Sequence, residues 1–105
     1  MGDLLAFKKD IIKEFGTPCA VVDLNVLEEN INRVQKLCDK AGVSNRPHIK
    51  THKSGEIARM QIDAGASGVT CQKLGEAEVM AAAGITDILI ATNLLGAAAS
   101  GALSA

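Results

Sequence analysis

The sequence predicts an α/β fold with a parallel sheet, formed by a single domain of 105 residues. Helix-like segments alternate with short β-rich runs, and an Ala-Gly pair ends three of these segments, at residues 41–42, 64–65 and 83–84. This alternation favours right-handed βαβ units and parallel strand pairing. The repeat from Val69 to Ile88 is 19 residues long, which is about the spacing that a barrel of βα units uses.

The helices are located by their capping residues and by the spacing of their apolar side chains. Asn25 is the expected N-cap of the first helix, with Glu28 three residues later, and Gly42 supplies the left-handed residue that ends it. Ser54 is the expected N-cap of the second helix. The predicted helices cover residues 25–41, 54–64 and 74–83, and the predicted strands cover residues 19–24, 47–50, 68–72 and 88–92.

Composition argues against several classes of function. The formal net charge is -1 and the aromatic residues are two phenylalanines, so we expect no nucleic-acid partner. No run approaches the ~18 apolar residues of a membrane span, and the start does not resemble a signal peptide, so we expect no membrane association. Cys19, Cys38 and Cys71 form no Cys-x-x-Cys pair and are predicted to be reduced and buried, which fits a cytoplasmic location.

The densest basic cluster is the segment 46–54, RPHIKTHKS, which holds five Arg, His or Lys residues in nine. Three interpretations remain open from the residues alone: a solvated turn, an anion site at the start of the Ser54 helix, or a strand end with a reactive lysine. A zinc site formed by His48 and His52 is not expected, because four extended residues span ~13 Å.

A reactive lysine at this place has a definite geometry. If the chain is extended here, Ile49 packs against the helices and Lys50 points to the inside of the sheet or barrel. Arg46 and the two histidines are then expected to form the surroundings of Lys50. An uncharged lysine amine is the nucleophile that condenses with an aldehyde such as pyridoxal phosphate.

Several motifs together carry a family resemblance. They are Thr17-Pro18, Val22-Asp23-Leu24, the segment RPHIKTHK at 46–53, Ala64-Gly65-Ala66, the segment QKLGEAE at 72–78, and Ala83-Gly84. Through these motifs the sequence resembles, over about residues 16–96, the N-terminal part of the D-threonine aldolase and D-serine dehydratase group, which are fold-type III pyridoxal-phosphate enzymes. The resemblance implies a partial (β/α)8 TIM barrel of the alanine racemase N-terminal type, with roughly the first three βα units.

The resemblance implies that Lys50 holds pyridoxal phosphate through a Schiff base. Gln72 and Asn93 follow two predicted strands and are expected to line the cofactor site, although polar residues also end strands simply to meet water. His48 is expected nearby, and His52 either lies beside the cofactor or caps the following helix. The implied substrate is a small D-amino acid, cleaved by a retro-aldol reaction as the first choice or dehydrated as in D-serine dehydratase.

Other expectations concern the extent of the chain. Residues 1–96 are expected to form part of the barrel, and residues 97–105 a low-complexity tail. The divalent-metal ligands of the family lie in its C-terminal part, so no metal site is expected here. An incomplete barrel leaves unpaired strand edges, which predicts self-association or a homodimer. Catalysis by these residues alone is not expected, and a non-catalytic pyridoxal-phosphate carrier or an inactive truncated fragment remain as alternatives.

Overall fold

The computed structural model describes residues 2–95, and the predicted tail at 97–105 lies outside the described residues. Strand β1 (Val69–Cys71) pairs in parallel with strand β2 (Ile88–Ile90), with Thr70 opposite Leu89, and His48 forms a parallel bridge to Thr70 from the other side. The predicted α/β fold with parallel strands is therefore confirmed. The elements are α1 (Gly2–Phe15), α2 (Leu24–Ala41), α3 (Gly55–Asp63), β1 (Val69–Cys71), α4 (Leu74–Ala82) and β2 (Ile88–Ile90).

Helix α2 begins earlier than the sequence predicted. Its N-cap is Asp23, whose carboxylate accepts hydrogen bonds from the backbone N–H groups of Asn25 and Val26 at 3.0 and 3.2 Å. The prediction of Asn25 as the cap was wrong, because Leu24 already has helical backbone geometry and Asp caps a helix as well as Asn does. The helix ends as predicted, at Gly42 in the left-handed region with φ of 71°.

The segment before α2 is not a strand. Residues 16–23 have no regular secondary structure, so the predicted strand at 19–24 was wrong. Val21 and Val22 are more than half exposed, and β-branched residues form a strand only where another strand pairs with them. The 14-residue helix α1 was not anticipated, and its Phe7 and Phe15 are 50% and 64% exposed.

One face of the sheet carries the core. Helices α3 and α4 pack against this face, and Ser54 starts α3 as predicted, because its hydroxyl accepts a hydrogen bond from Ile57 N–H at 3.2 Å. Alternate residues of a strand point to opposite faces, so Ile49 and Cys71 lie in the core while His48 and Thr70 lie on the other face. The buried apolar residues are Ile49, Ala58, Val69, Cys71, Ala77, Met80 and Ile85.

Two further expectations can be compared with the described residues. Cys71 is buried and Cys38 is half-buried, but Cys19 is exposed, so the prediction of buried thiols was wrong for Cys19. Among residues 2–95, none of the helices has both the length and the apolar character needed to cross a membrane.

Candidate functional site at the carboxyl edge of the sheet

Lys50, Gln72 and Asn93 follow three neighbouring parallel segments and are all exposed. Lys50 and Gln72 each lie two residues after the bridge between His48 and Thr70, and Asn93 lies three residues after the end of β2. Because the carboxyl ends of parallel strands meet at one edge, this register places the three side chains at the same edge of the sheet. We call this place the carboxyl edge.

Backbone hydrogen bonds fix the chain around Lys50. Ile49 N–H donates to Thr70 C=O at 2.9 Å, and Thr70 N–H donates to Pro47 C=O at 2.8 Å, as in a parallel ladder. Beyond this point the chain turns, because Lys53 N–H donates back to Ile49 C=O at 2.8 Å. The strand predicted at 47–50 forms an isolated bridge at His48, and Lys50 lies at the start of a turn.

His48 is half-buried and supports the backbone of Lys50. Its Nδ1 accepts a hydrogen bond from the Lys50 N–H at 3.2 Å. In a neutral imidazole the other nitrogen then carries the hydrogen, so Nε2 is the donor. His48 thus connects the strand face opposite the core to the turn that presents Lys50.

His52 is occupied by contacts at the start of α3. Its Nδ1 accepts from Ser54 N–H at 2.9 Å, and its Nε2 lies 3.3 Å from Gln61 Oε1. These contacts fit the neutral tautomer with the hydrogen on Nε2. Burial lowers the pKa of His52, and the hydrogen bond to Gln61 partly opposes that shift. Both ring nitrogens are therefore engaged in contacts within the protein.

Arg46 lies at the opposite edge of the sheet from Lys50. Its guanidinium forms an ion pair with Asp87 at 2.7 Å and donates to the carbonyl oxygens of Val69 and Asp87 at 3.3 Å. The expectation that Arg46 surrounds Lys50 was wrong, because four residues of extended chain separate them by ~13 Å. Arg46 instead joins the amino-terminal ends of the parallel segments.

Glu76 belongs to the carboxyl edge although the sequence analysis did not select it. Its Oε2 accepts hydrogen bonds from the N–H groups of Gln72 and Lys73 at 2.7 and 2.8 Å. The Lys73 bond lowers the pKa of Glu76, as do the Gln72 bond and the positive charge of Lys53, while burial raises it. The available signal was an acid three residues after a helix start, which is half of a capping box.

A separate apolar groove lies between α1 and the segment 17–21. It is lined by Phe7, Ile11, Ile12, Val21 and neighbouring residues, and it shares no residue with the carboxyl edge. The groove lacks the convergent polar groups that orient a small polar substrate, so we do not assign the chemistry to it. Within residues 2–95, no group of three His, Cys, Asp or Glu side chains is arranged to hold a metal ion.

Comparisons with known proteins identify relatives of this chain. The chain is 48% identical over 86 residues to D-threo-3-hydroxyaspartate dehydratase from Delftia sp. (strain HT23), covering 82% of this chain and 23% of the relative. It is 43% identical over 89 residues to D-threonine aldolase from Arthrobacter sp, covering 85% of this chain and 24% of the relative.

A solved structure agrees with these sequence matches. The crystal structure of D-threonine aldolase from Filomicrobium marinum superposes with a TM-score of 0.80 at 42% identity, covering 84% of this chain and 24% of that one. The chain therefore spans about a quarter of the length of the relatives it matches. Residues 22–103 match the family described as alanine racemase, N-terminal domain, and the chain belongs to this family.

Proposed function

We propose that this chain contributes the cofactor lysine and part of the active-site edge of a pyridoxal-phosphate-dependent lyase acting on D-3-hydroxy amino acids. The observation that carries the proposal is the exposed Lys50 at the carboxyl edge of three parallel segments, beside Gln72. Relatives with 40–48% identity include a D-threonine aldolase, a 3-hydroxy-D-aspartate aldolase and a D-threo-3-hydroxyaspartate dehydratase. The substrates in these names are all D-amino acids with a hydroxyl group at C3.

The residues at the carboxyl edge fit the proposed cofactor. Lys50 offers an exposed primary amine, which is the group that binds the aldehyde of pyridoxal phosphate. When bound, this cofactor withdraws the electron pair left at the substrate Cα after a bond to that carbon breaks. His48 holds the Lys50 backbone through its Nδ1, and His52 fixes the following turn through Ser54 N–H.

Gln72 and Asn93 are proposed to orient the bound molecule with their exposed amide groups. An amide offers both a donor and an acceptor, which suits the polar substituents of a cofactor or an amino acid. The hydroxyl of Thr70 is not proposed for this role, because it already donates to the Arg46 carbonyl oxygen at 3.2 Å. We also propose that residues 1–96 form the N-terminal part of the barrel. No residue is assigned to the divalent metal that the resemblance implies.

Aldol cleavage is our first choice of reaction. The 3-hydroxyl loses its proton, the Cα–Cβ bond breaks, and Cα then takes up a proton, so the products are glycine and an aldehyde. Dehydration would instead break the Cα–H bond and expel the 3-hydroxyl as water, and hydrolysis of the resulting enamine would give a keto acid and ammonia. The residues at the carboxyl edge are the same for both outcomes, so the proposal covers cleavage at Cα of this substrate class.

The decisive experiment traps the cofactor on the chain. The purified chain is mixed with pyridoxal phosphate and reduced with borohydride, and the modified lysine is located by peptide mass mapping. We expect the adduct on Lys50, no selective adduct in Lys50→Arg, and an unchanged adduct in the control Lys36→Arg, which alters a lysine of α2. Even labelling of the lysines in the parent chain would contradict the proposal.

A further inference from the structure

Glu76 is a largely buried carboxylate that the proposed chemistry does not use. It lies in the first turn of α4, and 9% of its surface is exposed. Carboxylates are rarely buried unless hydrogen bonds or opposite charges compensate for the lost hydration. The contacts of Glu76 therefore indicate what its charge does in the fold.

The first contact is with the turn after β1. Gln72 and Lys73 follow directly on Cys71, the last residue of β1, and both of their N–H groups donate to Glu76 Oε2. At 2.7 and 2.8 Å these are short, charge-assisted bonds, which are stronger than bonds between neutral groups. Glu76 thereby fixes the backbone from which the Gln72 side chain projects at the carboxyl edge.

A longer-range attraction involves the neighbouring segment. The positive charge of Lys53 attracts the Glu76 carboxylate, and Lys53 lies three residues after Lys50 along the chain. Lys53 has a left-handed backbone with φ of 52°, a conformation that a residue with a side chain adopts only at a cost in free energy. The negative charge of Glu76 therefore favours holding this basic turn against the end of β1.

We propose that Glu76 is a positioning residue of the carboxyl edge, which fixes the turn after β1 so that Gln72 stays beside Lys50. Its contribution to cofactor binding rests on the function proposed above for Lys50. Its effect on the turn at residues 72 and 73 does not depend on that function. The two parts can therefore be measured separately.

The experiment compares three variants with the parent chain. Glu76→Ala removes the acceptor and the charge, while Glu76→Gln retains an acceptor oxygen for the two N–H groups. Asp23→Ala is the matched control, because Asp23 is also a carboxylate that accepts two backbone N–H groups at a helix start, but on α2. The readouts are amide hydrogen exchange at residues 72 and 73, without cofactor, and borohydride trapping of pyridoxal phosphate on Lys50, normalised to the folded fraction.

We expect Glu76→Ala to speed amide exchange at residues 72 and 73 by about tenfold and to lower selective trapping on Lys50 several-fold. Glu76→Gln should keep the slow exchange and restore part of the trapping. Asp23→Ala should change neither measurement at these residues. Trapping in Glu76→Ala that equals the parent, or that falls no further than in Asp23→Ala, would overturn the positioning role.

The same experiment distinguishes failure of the proposed function from failure of the proposed role of Glu76. If the parent chain itself shows no selective trapping on Lys50, the cofactor proposal fails and the exchange data alone judge Glu76. Faster exchange at residues 72 and 73 in Glu76→Ala, with slow exchange in Glu76→Gln, then supports its effect on the turn. Unchanged exchange in Glu76→Ala overturns that effect as well.

Discussion

Arg46 and Asp87 form an ion pair of 2.7 Å directly across Gly68, at the amino-terminal edge of the sheet. A Cβ atom on Gly68 would overlap the Asp87 carbonyl oxygen and would lie 2.6 Å from the Arg46 guanidinium. The carbonyl oxygen cannot rotate away, because it accepts the Val69 N–H hydrogen bond. The contact thus requires glycine at this position for lack of space.

We predict that Gly68→Ala lowers the free energy of unfolding by about 1–3 kcal/mol, the usual cost of overpacking. Gly75→Ala is the control, because nothing lies within 4 Å of a Cβ at that helical position. Alanine favours a helix over glycine, so the control should be stabilising by up to about 1 kcal/mol. Urea denaturation measures both values, and equal midpoints for the two variants would contradict the prediction.

His52 should make the stability of the chain depend on pH. Burial lowers its pKa in the folded state, so the unfolded chain binds a proton more readily than the folded one. The stabilisation is therefore fully present above the unfolded pKa of about 6.5 and is lost as the pH falls through the lower folded value. Glu76, whose pKa is also lowered, adds a separate loss below about pH 4.5.

Thermal midpoints measured between pH 7.5 and 5 check this effect. His52→Asn should remove the loss of stability, because the Asn carbonyl oxygen can still accept the Ser54 N–H while the titrating ring is gone. His48→Asn should retain the loss, since it leaves the contacts of His52 in place. An identical pH dependence in His52→Asn and the parent chain would show that another group is responsible.

Ile49, the residue before Lys50, should contribute strongly to the stability of the folded chain. Its side chain has no exposed surface, and its backbone N–H is bonded to Thr70. Ile49→Ala should lower the free energy of unfolding by about 2–5 kcal/mol, and Ile49→Val by about 0.5–1.5 kcal/mol. Leu37→Ala, at a side chain that is 63% exposed, should stay within about 0.5 kcal/mol of the parent. Denaturant unfolding followed by circular dichroism provides these values, and a small effect of Ile49→Ala would contradict the assigned core.

The chain is predicted to self-associate in solution. Three apolar side chains close together in the sequence are mostly exposed: Val21 at 55%, Val22 at 52% and Leu24 at 63%. They leave apolar surface open to a second copy of the chain. Sedimentation equilibrium should give a mass above 10.9 kDa. Val22→Asp should shift the chain toward the monomer, while Val43→Asp, at a 57% exposed loop residue, should have less effect. A monomeric parent chain with a cooperative thermal transition would be evidence against self-association.

Short sequence patterns predicted a helix end correctly where the stabilising contact joins residues that are close in sequence. Ser54 starts α3 and Gly42 ends α2 as predicted, because each acts on backbone groups within a few residues. Asp23 and Asn25 are both competent caps, so the choice between them depends on where the chain leaves the preceding segment. The segment 19–24 has strand-forming residues, but a strand also needs a partner, which composition does not supply.

The carboxyl edge was predictable in part for the same reason. Parallel strands that alternate with helices bring Lys50 and Gln72 to one edge in any such fold. Arg46 is close to Lys50 in sequence but not in space, because the extended chain between them separates the two side chains. Glu76 was overlooked because the residue before its helix is Lys73, which lacks the short polar side chain that marks a capping box.

Because side chains alternate between the two faces of the sheet, the two faces should tolerate substitutions differently during evolution. Substitutions at residues 49, 69 and 71 disturb packing, whereas residues 48, 70 and 72 lie on the other face or beyond the strand end. Tolerance in a saturation mutagenesis scan should therefore rise and fall with a period of two residues. Selection can therefore alter the residues of one face while the other face preserves the fold.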